Sequence, residues 1–161
     1  PSGNVVFDPE NHREPLVLAV AGSGVTPAMS ILRTVYDRQL DLPVTFIYGC
    51  RTRDDIIFAR ELDDLRLRLA QLRVVIALSQ PSAEWSGPIG RVTPELIARH
   101  VSEPEQARYY ICGPGDMREK LTEWLDSRGV AADRIHTEMF GKPTRAATVR
   151  CAPLAEAVSL V

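Results

Sequence analysis

Apolar and polar positions along the chain alternate between two periods. Pro15-Leu-Val-Leu-Ala-Val-Ala21 is a continuous apolar run ending at Gly22-Ser23-Gly24, the pattern of a strand buried on both faces. Thr26 stands next as a candidate N-cap with Pro27 at the first helical position, and Ala28, Ile31, Leu32 and Val35 follow at helical spacing. Residues 44–48 read as a second strand, and Asp54/Asp55 open a helix with Phe58, Leu62, Leu65 and Leu69 on one side. Residues 72–78 form a third strand, followed by a Ser/Pro/Gly-rich loop over 79–90 and a short helix capped by Thr93-Pro94. Residues 108–112 are a fourth strand. They run through Gly113-Pro114-Gly115-Asp116 into a helix with Met117, Leu121, Trp124 and Leu125 inward, stopped by Gly129. Residues 135–139 give a fifth strand.

Strands alternating with helices through right-handed crossovers predict an α/β fold, a doubly wound five-stranded parallel sheet. Ligands are then expected beyond the carboxyl ends of the strands. Residues 1–14 and 141–161 do not continue the alternation; the first reads as the end of a preceding segment and the second as a linker rich in small residues.

The length of 161 residues, with 45% hydrophobic and 25% charged positions, fits one globular domain. A balance of 19 Lys+Arg against 21 Asp+Glu, net −2, lacks the basic footprint of a nucleic-acid binder. No apolar run approaches the ~20 residues of a membrane span, and the N-terminus lacks the order of a signal peptide, so a cytoplasmic location without membrane contact is expected. Cys50, Cys112 and Cys151 are widely spaced, and His12, His100 and His136 are scattered. Neither set writes a disulfide framework or a metal motif.

Gly22-Ser23-Gly24, between a strand and a helix, offers what a phosphate cradle needs: no Cβ at closest approach and helix N–H groups aimed at an anion. It departs from the GxGxxG fingerprint, because Pro27 takes the third glycine position, and from the NTPase loop, because no Lys-Ser/Thr pair follows. A tight turn that merely requires glycine is the alternative. Cys112-Gly113-Pro114-Gly115-Asp116-Met117 is a second such turn, abutting the first if strands one and four are neighbours; a small buried thiol and a core methionine are the plain readings of Cys112 and Met117. Arg51, Arg53 and Ser79-Gln80 also lie on the ligand side. The planar fork of arginine suits phosphate, whereas Arg53 beside Asp54 and Asp55 reads as solvated charge.

Taken in order, Ala21-Gly-Ser-Gly-Val-Thr-Pro27, Tyr48-Gly49-Cys50-Arg51 with Asp55-Ile-Ile-Phe58 and Glu61-Leu62, then Tyr110-Ile-Cys-Gly-Pro114 and Glu138-Met-Phe140, resemble the ferredoxin-NADP reductase family. More narrowly, they are similar to the NAD(P)-binding domain of the oxygenase reductases that serve phenol hydroxylases and benzoate dioxygenases. The resemblance implies that residues 1–14 end an FAD-binding barrel, that 15–140 bind NAD(P)H, and that 141–161 lead toward a [2Fe-2S] domain. It implies hydride transfer from NAD(P)H to FAD on the preceding domain and onward electron transfer to an iron-sulfur protein or oxygenase, an enzyme incomplete without its FAD domain. By the same analogy, Gly22, Ser23, Gly24, Val25, Thr26 and Pro27 would hold the pyrophosphate, with Gly49, Arg51, Ser79 and Gln80 around the nucleotide. Cys112, Gly113 and Pro114 would back the nicotinamide, with Asp116 and Met117 also binding the cofactor, Cys112 lying near the transferring carbon and Glu138 and Phe140 closing the site.

The sequence departs from the family pattern at several points. Ser79 is followed by Gln80 rather than the arginine of NADPH-using members, which favours NADH, while Arg51 leaves a 2′-phosphate open. The flavin motif Arg-x-Tyr-Ser and the plant-type cluster motif C-x4-C-x2-C are both absent from these residues. A non-catalytic α/β nucleotide-binding module is the competing class. A phosphoacceptor receiver is disfavoured, because the first and third strands end in Ala21-Gly22 and Leu78-Ser79 rather than in acids.

Overall fold

In the computed structural model, residues 7–8 and 13–138 are described. The apolar run after Pro15 becomes β1 (Leu16–Ala21), whose first five residues are all buried. Its neighbours are β2 (Val44–Cys50) and β4 (Arg108–Cys112); β3 (Leu72–Leu78) and β5 (Ile135–Glu138) form the edges. The sheet order is β3-β2-β1-β4-β5, every pairing parallel, with Leu16 opposite both Val44 and Arg108.

Parallel strands need both faces covered, and the period of two divides their side chains between two apolar layers. Leu16, Leu18, Val20, Phe46, Tyr48 and Tyr110 face one layer with α1 (Val25–Asp37) and α2 (Ala59–Arg68). Val17, Ala19, Ile47, Val75, Tyr109 and Ile111 face the other with α3 (Pro94–His100) and α4 (Gly115–Ser127). Helices on both faces make the sheet doubly wound, as the alternation predicts.

Two helix starts differ from expectation. Thr26 is not an N-cap: the chain leaves β1 through a single 3₁₀ turn over Gly22–Gly24, and α1 begins at Val25. Gly22 adopts φ +56°, which reverses the chain early, and the Thr26 hydroxyl instead donates to the Ser23 carbonyl at 3.2 Å. The Asp54/Asp55 segment is a separate 3₁₀ turn, closed by a reciprocal box in which the Thr52 N–H donates to the Asp55 carboxylate at 2.9 Å. The second helix starts only after Phe58, held in the left-handed region at φ 61°. The Arg33 guanidinium lies over that ring at 5.2 Å and grips Glu61 through two bonds of 2.6 and 2.8 Å, fastening α1 to α2.

Thr93 does cap α3, its Oγ1 accepting from the Leu96 N–H at 3.3 Å, and Gly129 follows α4 with φ +77°. Met139 and the segment 141–161 lie outside the described residues. No described helix is long and apolar enough to cross a membrane.

Candidate functional site

The carboxyl ends of β1, β2, β3 and β4 open into one cleft of about 760 Å³, a size common for cofactor sites. Both glycine turns lie in its wall, because β1 and β4 are direct neighbours and each runs into a helix of 13 residues. The turns touch. A Cβ on Gly24 would lie 2.8 Å from the Cys112 carbonyl carbon and 3.1 Å from its Sγ, so only a glycine lets β1 and β4 close in this way. Gly22, in contrast, has nothing within 4 Å of a would-be Cβ; its demand is conformational, and it borders open space at the cleft. Gly49 serves the cleft from behind, since its Cβ would lie 2.9 Å from the Val92 side chain.

Of the residues singled out in the sequence, Gly22, Ser23, Gly24, Gly49, Arg51, Ser79, Gly113, Pro114, Asp116 and Met117 line this cleft together. Val25, Thr26 and Pro27 do not line it; they build the first turn of α1 behind the cradle, with Val25 fully buried. Gln80 stands at the rim, its Oε1 accepting from Arg51 at 3.5 Å while the backbone binds the Arg51 carbonyl at 2.7 Å.

Cys112 and Glu138 sit side by side in the β4–β5 register, around a small hollow adjoining Pro27 and Ala28 rather than in the main cleft. Burial pushes the Cys112 thiol up to about 11, and the Glu138 carboxylate adds to the rise. The thiol is therefore neutral at physiological pH, an apolar sulfur and not a nucleophile. Phe140 lies outside the described residues.

The cleft also contains Arg91, Val92 and Lys120, which the sequence reading passed over, and Ile57, which it quoted only within the Asp55–Phe58 motif. Arg91 follows the glycine-rich loop and reaches Asp116 at 3.4 Å, a bridge exposed on both sides and worth little by itself. Lys120 stands one helical turn beyond Asp116, a spacing that could have drawn attention to it. Arg51, Arg91 and Lys120 set three cations around a cradle formed where two helices begin, an arrangement suited to a diphosphate. Among the described residues, no group of three or more His, Cys, Asp or Glu is placed to hold a metal.

Comparison with known proteins agrees with this chemistry. The family model described as the oxidoreductase NAD-binding domain matches residues 18–123. The reductase component of propane 2-monooxygenase from Mycolicibacterium smegmatis is 31% identical over 140 residues, 83% of this chain and 40% of the relative. A flavohemoprotein from Oceanobacillus iheyensis is 29% identical over 88% of this chain and 34% of its own length. The chain thus spans between a third and a half of these curated relatives. Among solved structures, the FAD/NAD-binding domain of nitric oxide dioxygenase from Vibrio cholerae superposes with a TM-score of 0.75 at 28% identity, covering 88% of this chain and 56% of that one. With the paired glycine turns, the sheet order and the matched segment in agreement, the chain belongs to the oxidoreductase NAD-binding domain family, as the NAD(P)-binding domain of the ferredoxin-NADP reductase type.

Proposed function

We propose that this chain is the NADH-binding module of a flavoprotein reductase whose FAD sits on a domain preceding residue 15. The observation that carries the reading is the meeting of the two glycine turns at the ends of β1 and β4, which makes one cradle from two helix starts. When bound, the nicotinamide supplies a hydride and the flavin releases the electrons singly; the chain supplies position and dryness.

In this reading the Gly22-Ser23-Gly24 backbone holds the diphosphate, with Arg91 and Lys120 screening its charge. Gly49, Arg51, Ser79, Gln80 and Ile57 receive the adenosine end. Gly113, Pro114 and Met117 wall the nicotinamide, and Asp116 keeps Arg91 directed along the cleft. We place the hydride-bearing end of the nicotinamide against the hollow beside the cleft where Cys112 and Glu138 stand, so that a protonated sulfur would pack the aromatic ring without attacking it. Phe140 closes the site by analogy with the family. NADH is favoured because Gln80, a neutral side chain, already takes the Arg51 guanidinium at the edge where a 2′-phosphate would need a second cation.

The electron acceptor is an iron-sulfur protein or an oxygenase, a choice supported by the propane 2-monooxygenase reductase among the relatives. A [2Fe-2S] domain beyond residues 141–161 would provide the first step. Calorimetric titration with ADP-ribose and its 2′-phosphorylated form tests the reading. Tighter binding of the plain ligand is expected; preference for the phosphorylated one would reassign the cofactor to NADPH, and binding of neither would overturn the module assignment.

A further inference from the structure

Beneath the cleft, Tyr48 occupies a position that nothing in the nucleotide reading uses. Its side chain is fully buried on β2, yet its hydroxyl is doubly bonded: it donates to the Gly22 carbonyl at 3.2 Å and accepts from the Ile57 N–H at 3.4 Å. Gly22 opens the cradle and Ile57 lies in the cleft's other wall. One phenolic oxygen therefore ties the two walls together from below. The Gly22 carbonyl also accepts from the Val25 N–H that starts α1. Both of its acceptor sites are thus engaged within the protein, by the start of α1 and by the phenol.

We infer that Tyr48 is a positioning residue for dinucleotide binding: its hydroxyl fixes the left-handed Gly22 turn and the Ile57 backbone at one spacing, so that diphosphate and adenosine are held by a preformed cleft. The inference rests on the nucleotide reading above and names a device within it. Burial, with Cys50 beside it, pushes the phenol well above its usual range, so the hydroxyl keeps its proton and its donor role at any ordinary pH. Nothing ionic is involved; the device acts through geometry.

The test uses Tyr48→Phe, which keeps the ring in the core and removes only the oxygen, beside Tyr109→Phe as a matched control. Tyr109 is an equally buried tyrosine whose hydroxyl donates at 2.9 Å to the Pro104 carbonyl, away from the cleft. Both variants should melt a few degrees lower. ADP-ribose should bind Tyr48→Phe about three- to tenfold more weakly, the range expected for one hydrogen bond, and Tyr109→Phe within twofold of the unsubstituted chain. Equal affinity in all three chains would overturn the inference while leaving the nucleotide reading intact, whereas no binding by the unsubstituted chain would overturn both.

If Tyr48→Phe does not fold, amide exchange in the unsubstituted chain gives the answer. Adding ADP-ribose should protect the Val25 and Ile57 amides, the two linked through Gly22 and the phenol, to the same degree. Protection of Val25 alone would reject the link.

Discussion

At Gly24 a methyl group has nowhere to go, since the Cys112 carbonyl carbon would lie 2.8 Å away and belongs to backbone. Gly24→Ala should destabilise the chain by about 1–3 kcal/mol in urea unfolding and loosen ADP-ribose, because the two turns must part. Gly22→Ala should act differently. It places no atom against the protein but forces an L-residue to φ +56°, which costs ~1–2 kcal/mol. Equal urea midpoints for both variants and the unsubstituted chain would contradict these separate roles. The importance of both glycines was legible in the sequence, because a glycine pair between an apolar run and a helix has few purposes. Their division of labour was not. It depends on Cys112, a residue far along the chain that only the β1–β4 pairing brings alongside. Arg91 was missed for a related reason: a single cation after a loop has no periodic signal, and it gains meaning from the cleft it enters.

Within elements, the strands were legible almost to the residue: the central β1 writes itself as an unbroken apolar run, and even the edge strand β3, with Arg73 exposed, matches its expected bounds. The helix after β2 was not, because Phe58 takes a left-handed conformation that propensity disfavours. Its ring and the Arg33–Glu61 pair hold it there, and these are tertiary contacts. The cap of α3 supports a prediction at this scale. Thr93→Ala should cost about 1 kcal/mol by loss of the bond to the Leu96 N–H. It should also weaken ADP-ribose, because Val92, the preceding residue, fills the space behind Gly49. A stability loss with no change in affinity would show that the cap and the cleft are independent.

For the molecule as a whole, ionisable groups set a window of stability between acid and alkali. Burial works against the Glu14 carboxylate, but bonds from the backbone and from Arg108 outweigh it and hold the group down at about 2. A carboxyl depressed on folding stabilises the native chain above its unfolded value of 4.5, and that contribution is lost as pH falls toward 2. Cys112 is raised from 9.0 to about 11, so its contribution is complete below pH 9 and disappears as pH rises through 11; buried Tyr110, raised to about 12, acts in the same direction. Between these limits His100 adds one slope, because burial and the nearby Arg73 and Arg99 lower its imidazole and stability is lost as pH falls below 6.5; Glu14→Gln should make the acid limb of the melting temperature shallower without touching the alkaline one. An unchanged acid limb in that variant would assign the loss to other carboxylates.

The sheet order has a consequence for how the chain is made. The central strand β1 emerges first but waits for β4, whose partner register begins only at Arg108. A chain that has emerged only as far as β3 would, in its native pairing, leave one side of β1 as open backbone. That side is a template for association with other chains. Fragments ending before residue 108 should therefore aggregate, and neither they nor the nascent chain can bind a dinucleotide, because half of the cradle has not yet been synthesised.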